Sequence, residues 1–171
     1  MAESVAEVSP ARAEVVRDFA RSELFERTFS EGMELVEETA AYLDGEGRRD
    51  SKLLSRAGAL AYAGESMRLT TRLMQVASWL LVQRAIREGD MDPREACLPR
   101  YRIGAQSVCQ AEVAECLDEM PAQLITLLER SGRLYERVLH LDRRKFLDEE
   151  VKDQDHPVRS QLERLQAAFG R

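Results

Sequence analysis

The stretch "MRLTTRLMQVASWLLVQRAI", Met67 to Ile86, decides how this chain folds. Twelve of its twenty residues are apolar, yet Arg68, Arg72 and Arg84 lie among them, and the chain's single tryptophan, Trp79, sits near its centre. A membrane span needs about 20 mostly apolar residues. Here the longest unbroken apolar run is Trp79 to Val82, and an arginine at mid-membrane costs roughly 2.5–3.5 kcal/mol on insertion. Placed at about 100° per residue, Met67, Met74, Ser78, Leu81 and Ala85 form one stripe. Leu69, Leu73, Val76 and Leu80 form a second, roughly opposite the first. Arg68, Arg72, Gln75 and Gln83 crowd into a narrow polar sector with Trp79 in its middle. A helix apolar over more than half its circumference must be covered from several sides. The pattern predicts the central helix of a bundle, with a subunit contact in addition.

The flanking sequence supplies the helices that cover it. Phe25, Phe29, Met33, Val36, Ala40 and Leu43 recur at four-three spacing and predict the core face of a first long helix over 19–43. Glu23, Glu26, Glu34, Glu37 and Glu38 fall on its other side. The run "DGEGRRDS" (44–51) stops that helix with glycines, and Ser51 is a candidate cap for a second helix that runs to Glu88, before Gly89. Residues 90–118 are less regular. Asp92-Pro93-Arg94-Glu95 has the form of a cap, a proline at the first helical position and an acid two residues on. Ser107 to Gln110 predicts a further turn or two, carrying Cys109, Val113 and Cys116. Pro121 opens a last long helix, with a seam of Leu124, Leu127, Ser131, Leu134, Val138 and Leu141. The expected architecture is all-α. A three-helix bundle over 19–142 has a short irregular or helical connection between helices two and three. A loosely held arm (1–18) precedes it, although Ser9-Pro10 could cap a short helix there, and a flexible, charged C-terminal tail (143–171) follows. Phe29, Leu73, Leu80, Leu81 and Leu127 are expected in the core.

Composition excludes several functions. The 171 residues are 44% hydrophobic and 33% charged, which suits one helical domain with a real core. The net charge of −6 argues against nucleic acid, whose affinity comes largely from neutralising phosphates, and the three arginines of the opening stretch make a strip and not a basic face. Cys97, Cys109 and Cys116 are odd in number, contain no Cys-x-x-Cys, and follow no signal peptide. They are expected to be reduced thiols in a cytoplasmic protein. Phosphate-binding, dinucleotide, nucleophile-elbow and zinc-protease motifs are absent from the sequence. His140 and His156 are the two histidines, and Glu136 with His140 has no second such pair, as a di-iron bundle would require. No catalytic residue, cofactor or metal site is expected.

What remains is surface. Arg68 and Arg72, one turn apart, repel each other and should seek acids: Glu34 and Glu38 of the first helix, or a partner's. Trp79 is expected to be covered by the 90–118 connection, with an exposed interaction anchor as the alternative. Val158, Leu162, Leu165 and Phe169 have the spacing of a short amphipathic helix in the tail. Such a stripe suits folding on a partner or weak packing at the terminus. Arg68, Arg72, Trp79 and these four are the candidate partner-binding residues.

The segments "FSEGMELVEETAAYLDGEGR" (29–48), "ESMRLTTRLMQVASWLLVQRAIREGDM" (65–91) and "SGRLYERVLHLDR" (131–143) resemble the family of the regulator of CtrA degradation, RcdA, from alphaproteobacteria. The resemblance covers most of the chain from Phe19 to Arg143 and implies a three-helix bundle that forms a homodimer and has a flexible C-terminal tail. It implies an adaptor, not an enzyme. With a response-regulator-like adaptor, such proteins engage the ClpXP protease and tether substrate proteins. They also bind a further adaptor responsive to cyclic di-GMP, which brings the cell-cycle regulator CtrA, and they concentrate transiently at a cell pole. A structural dimerisation module and a small-ligand-binding helical bundle are the alternative readings, the latter requiring an enclosed polar cavity.

Overall fold

Ser22 and Ser55 start two of the long helices in the same way. The computed structural model describes residues 9–110 and 117–154. After α1 (Pro10–Ala20) comes α2 (Glu23–Asp44), capped by Ser22, whose Oγ accepts from the Phe25 N–H at 3.1 Å. Following the short α3 (Glu46–Asp50), α4 (Arg56–Glu88) is capped by Ser55, whose Oγ accepts from Gly58 N–H at 3.0 Å. Each cap satisfies one of the first-turn donors that a helix leaves orphaned. The cap is therefore Ser55; Ser51 lies in a single 3₁₀ turn over Ser51–Leu53. α4 ends at Gly89, at φ 86°, where any side chain would be strained. Two 3₁₀ turns, Glu95–Cys97 and Pro99–Tyr101, and α5 (Gln106–Cys109) lead to α6 (Ala122–Gln154).

α4 is the centre. It packs on α2, α6 and α1, and its Leu69, Leu73, Val76, Trp79 and Leu80 join Phe25 and Leu35 of α2 and Leu124, Leu127, Leu134 and Val138 of α6 in one core. The all-α expectation holds, with no strand among the described residues.

Four expectations need correction. Residues 10–18 belong to α1 and are not a loose arm. Ala13, Val16 and Ala20 are buried with Ile86 and Ala96 as a second cluster, and Phe19 lies against the Trp79 ring at 5.8 Å between centroids. Small side chains mask this helix in a hydrophobicity count, yet they allow close packing. The last helix does not stop near 142. It runs to Gln154, and Asp142 and Lys145 are buried, so the boundary at 143 moves outward. The buried face of α2 is Phe25, Thr28, Gly32, Leu35, Thr39 and Tyr42, turned by one residue from the predicted one. Phe29, Met33, Val36 and Leu43 flank it, partly buried. Gly32 explains the rotation: a Cβ there would meet Leu80 Cδ1 at 2.6 Å, so the two helices touch where a pattern of large residues shows nothing. Finally, Leu81 is exposed, whereas Leu73, Leu80 and Leu127 are buried as expected.

Candidate functional site

The polar sector of α4 points into the protein, where it holds the 98–110 connection against α6. Arg72 is buried and its guanidinium meets backbone. Nε and Nη2 donate to the Cys109 carbonyl at 3.2 and 2.7 Å, and Nη1 donates to the Leu128 carbonyl at 2.9 Å and Ser131 Oγ at 3.0 Å. Gly132, next in α6, leaves room for it, with the site of its missing Cβ 3.5 Å from Arg72 Nη1. Burial lowers the Arg72 pKa, with Cys109 opposing. One turn on, Gln75 Oε1 accepts from Gly104 N–H at 3.0 Å, and the Gly104 carbonyl accepts from Tyr135 Oη at 2.8 Å. Burial pushes the Tyr135 phenol up to about 12 and raises the Cys109 thiol as well.

Trp79 continues the same line. Its Nε1 donates to Asp142 Oδ1 at 2.9 Å, and Arg102 reaches Oδ2 of that carboxylate from the connection at 2.9 and 3.1 Å. Lys145, a turn further along α6, sits over the Phe19 and Trp79 rings, its Nζ 2.7 and 4.5 Å from their centroids, and no described atom accepts a hydrogen bond from it. The ring faces and Asp142 favour the ammonium. Burial opposes it and dominates, pushing the pKa down to about 6.

Three of the candidate residues thus have defined places. Trp79 is covered, as expected, but by Phe19 of α1 and by Asp142 and Lys145 of α6; the connection contributes through Arg102. Arg72 binds carbonyls and Ser131, not Glu34 or Glu38. Glu38 pairs with Arg130 of α6 at 2.6 Å. Arg68 pairs at 3.1 Å with Glu65, itself buried. Arg72 and Trp79 therefore serve as framework and present no docking surface in this fold. Val158, Leu162, Leu165 and Phe169 lie outside the described residues.

Sequence reasoning missed the face of α4 that stays outside. Leu60, Met67, Met74 and Leu81 are 77%, 71%, 63% and 52% exposed. Beside Met74 runs a mostly apolar trough of about 320 Å³ between α4 and α2, lined by Val36, Ala40, Leu43, Thr70, Leu73 and Ala77 among others. It is not the polar, enclosed cavity that a small-ligand-binding bundle requires. The seven-residue spacing of the four side chains was the available signal. Among the described residues no group of three or more His, Cys, Asp or Glu is placed to hold a metal, and no helix is long and apolar enough to cross a membrane.

These features define a class: a helical bundle whose internal polar contacts are structural and whose apolar residues make an exposed face. The comparisons narrow it. A family model described as "Protein of unknown function (DUF1465)" matches residues 16–169. The crystal structure of RcdA from Caulobacter crescentus CB15 is similar at 64% identity, covering 77% of this chain and 98% of that one, with a TM-score of 0.64. No curated protein matches. The chain belongs to the family of that model and, at this identity, to the RcdA family.

Proposed function

We propose that the chain is a non-enzymatic adaptor of regulated proteolysis, a regulator of CtrA degradation. The observation that carries this is the 64% identity to RcdA over 98% of that protein's chain. In this reading it forms a homodimer in the cytoplasm and gathers transiently at a cell pole. It engages ClpXP together with a response-regulator-like adaptor and holds substrate proteins, directly or through the cyclic-di-GMP-responsive adaptor. Tethering alone accounts for the activity, because a held substrate reaches an effective concentration on the order of millimolar without chemistry by the adaptor. The inward-facing Arg72 and Trp79 support a scaffold with no reactive centre.

The stripe Val158, Leu162, Leu165 and Phe169 is assigned to partner binding. The test is degradation of CtrA by purified ClpXP with the two other adaptors, with and without this chain. Degradation is expected to accelerate only when the chain is present, and equal rates would contradict the reading. Removing 155–171 leaves α6 whole. It is expected to leave the melting temperature unchanged and to abolish delivery of at least one substrate. A truncated chain that melts lower and delivers every substrate would make the tail structural.

A further inference from the structure

We propose that α1 is a proton-sensitive latch: it closes over the side chain of Lys145 as that side chain gives up a proton, and acid reopens it. Lys145 lies at a joint of three helices. It is 8% exposed, stands on α6, and lies over the Phe19 ring of α1 and the Trp79 ring of α4. An ammonium brings three donors, and among the described residues no atom accepts from Nζ. Asp142, one turn back on α6, is the charge that acts on it. Both oxygens of that carboxylate are engaged, Oδ1 by Trp79 Nε1 and Oδ2 by Arg102 of the connection. α1 and α4 face the amine with rings, and α2 stands behind them with Phe25 edge-on to Phe19 at 5.9 Å. An enclosed charge without hydrogen bonds is neutralised, and here burial brings the amine down to about 6.

α1 is the element able to move. It has 11 residues, and helices below about 12–15 residues are marginal in water without tertiary contacts. Ser9, at its start, makes no side-chain cap bond. Small side chains hold it, Ala13, Val16 and Ala20, in a cluster with Ile86 and Ala96 that is separate from the main core. Of the described α1 residues, the core shared by α2, α4 and α6 takes in Phe19 alone. The helix breaks at Arg21 and Ser22, before α2 begins at Glu23. Undocking at that joint bares Lys145, Trp79 and Ile86 to water and leaves the main core in place.

Opening takes up a proton. With α1 closed, Lys145 is uncharged above about pH 6. With α1 open, the amine stands in water and returns to its ordinary value of 10.5. Between those two values the open form holds one proton more than the closed form. The ratio of open to closed chain therefore rises about tenfold for each unit by which the pH falls. Below about 6 both forms hold the proton and the ratio levels off, so the latch is tightest in alkaline solution and loosest in mild acid.

The test is hydrogen exchange of the full chain, followed amide by amide at pH 6.5, 7.5 and 8.5. Protection is taken relative to an unstructured peptide at each pH. An undocked helix this short melts, so the amides of Val16, Phe19 and Ala20 read the open fraction. Their protection is expected to lie below that of Leu73 and Leu80 in α4 and to rise about tenfold per pH unit. In Lys145→Met, with helical content as the check of folding, α1 is expected to be better protected at pH 6.5 and to lose its dependence on pH. The wild-type profile decides by itself if the variant does not fold. Protection in α1 that is flat with pH, or that equals the protection of Leu73 and Leu80, overturns the latch. A slope that survives Lys145→Met overturns it as well.

Discussion

α4 carries two faces whose composition and location are reversed. The face bearing Arg72, Gln75, Trp79 and Gln83 is buried or half-buried, and the face bearing Leu60, Met67, Met74 and Leu81 lies outside. Burial followed the available partners and not the polarity of the side chains. Arg72 found two carbonyls and a hydroxyl, and Trp79 found a carboxylate. A buried polar group whose donors are satisfied costs little, and one left alone, as Gln83 Oε1 and Lys145 Nζ are among the described residues, costs more. Among the described residues the methionines and leucines of the other face find no such cover, which leaves that face open to a partner.

The comparison can be broken most sharply at its inner face. Trp79→Ala removes a large buried ring and leaves Asp142 with a lost donor; it should cost about 3–5 kcal/mol, or roughly 10 °C or more in melting temperature. Arg72→Ala should cost about 2–4 kcal/mol, because the Cys109 and Leu128 carbonyls lose their donors in a buried place. If Arg72→Ala melted with the wild type, the guanidinium would not be holding the connection.

Lys145 tests the same face through pH. Its pKa falls from the ordinary 10.5 to about 6 in the folded chain. Between those values the unfolded chain holds a proton that the folded chain lacks, so this group makes stability rise with pH from about 6 to about 10 and leaves it flat below. Lys145→Met should therefore stabilise the protein at pH 7, on the order of 1–3 kcal/mol after relaxation of the site, and its advantage should shrink as pH approaches 10. Urea melts of both chains at pH 6, 8 and 10 check this. A gap that is constant with pH would mean that the ammonium keeps its proton inside.

The smallest effect belongs to the outer face and sharpens the contrast between adjacent residues. Leu80→Ala should cost about 2–5 kcal/mol, while Leu81→Ala, measured dilute enough for monomer, should cost under about 0.5 kcal/mol. Equal losses would mean that α4 is rotated from the orientation described.

Periodicity carried the architecture because large apolar residues dominate α4 and the start of α6. Leu73, Leu80, Leu124 and Leu127 were legible as core for that reason. It failed where small or polar residues make the contact. Gly32 and Thr28 face the core of α2, the latter's hydroxyl donating to the Leu24 carbonyl at 2.8 Å, and neither adds to a hydrophobic pattern. α1 was masked in the same way by Ala13, Val16 and Ala20. Asp142 and Lys145 read as tail because charge signals solvent, and only the three-dimensional neighbourhood of Trp79 shows why helix α6 carries them inside. The membership in the RcdA family was legible from the segments on the first and second long helices, whereas the exposed seam required knowing which stripe of α4 is left uncovered.

Trp79 is the only tryptophan, so its fluorescence reports directly on whether the polar sector of α4 faces inward. Emission is measured on the native chain with and without acrylamide. A buried indole held between Phe19, Asp142 and Lys145 predicts emission shifted to the blue of free tryptophan and little quenching until the chain is unfolded in urea. Red-shifted emission, quenched in the native chain as strongly as in the unfolded one, would place Trp79 in water and contradict the inside-out arrangement of α4.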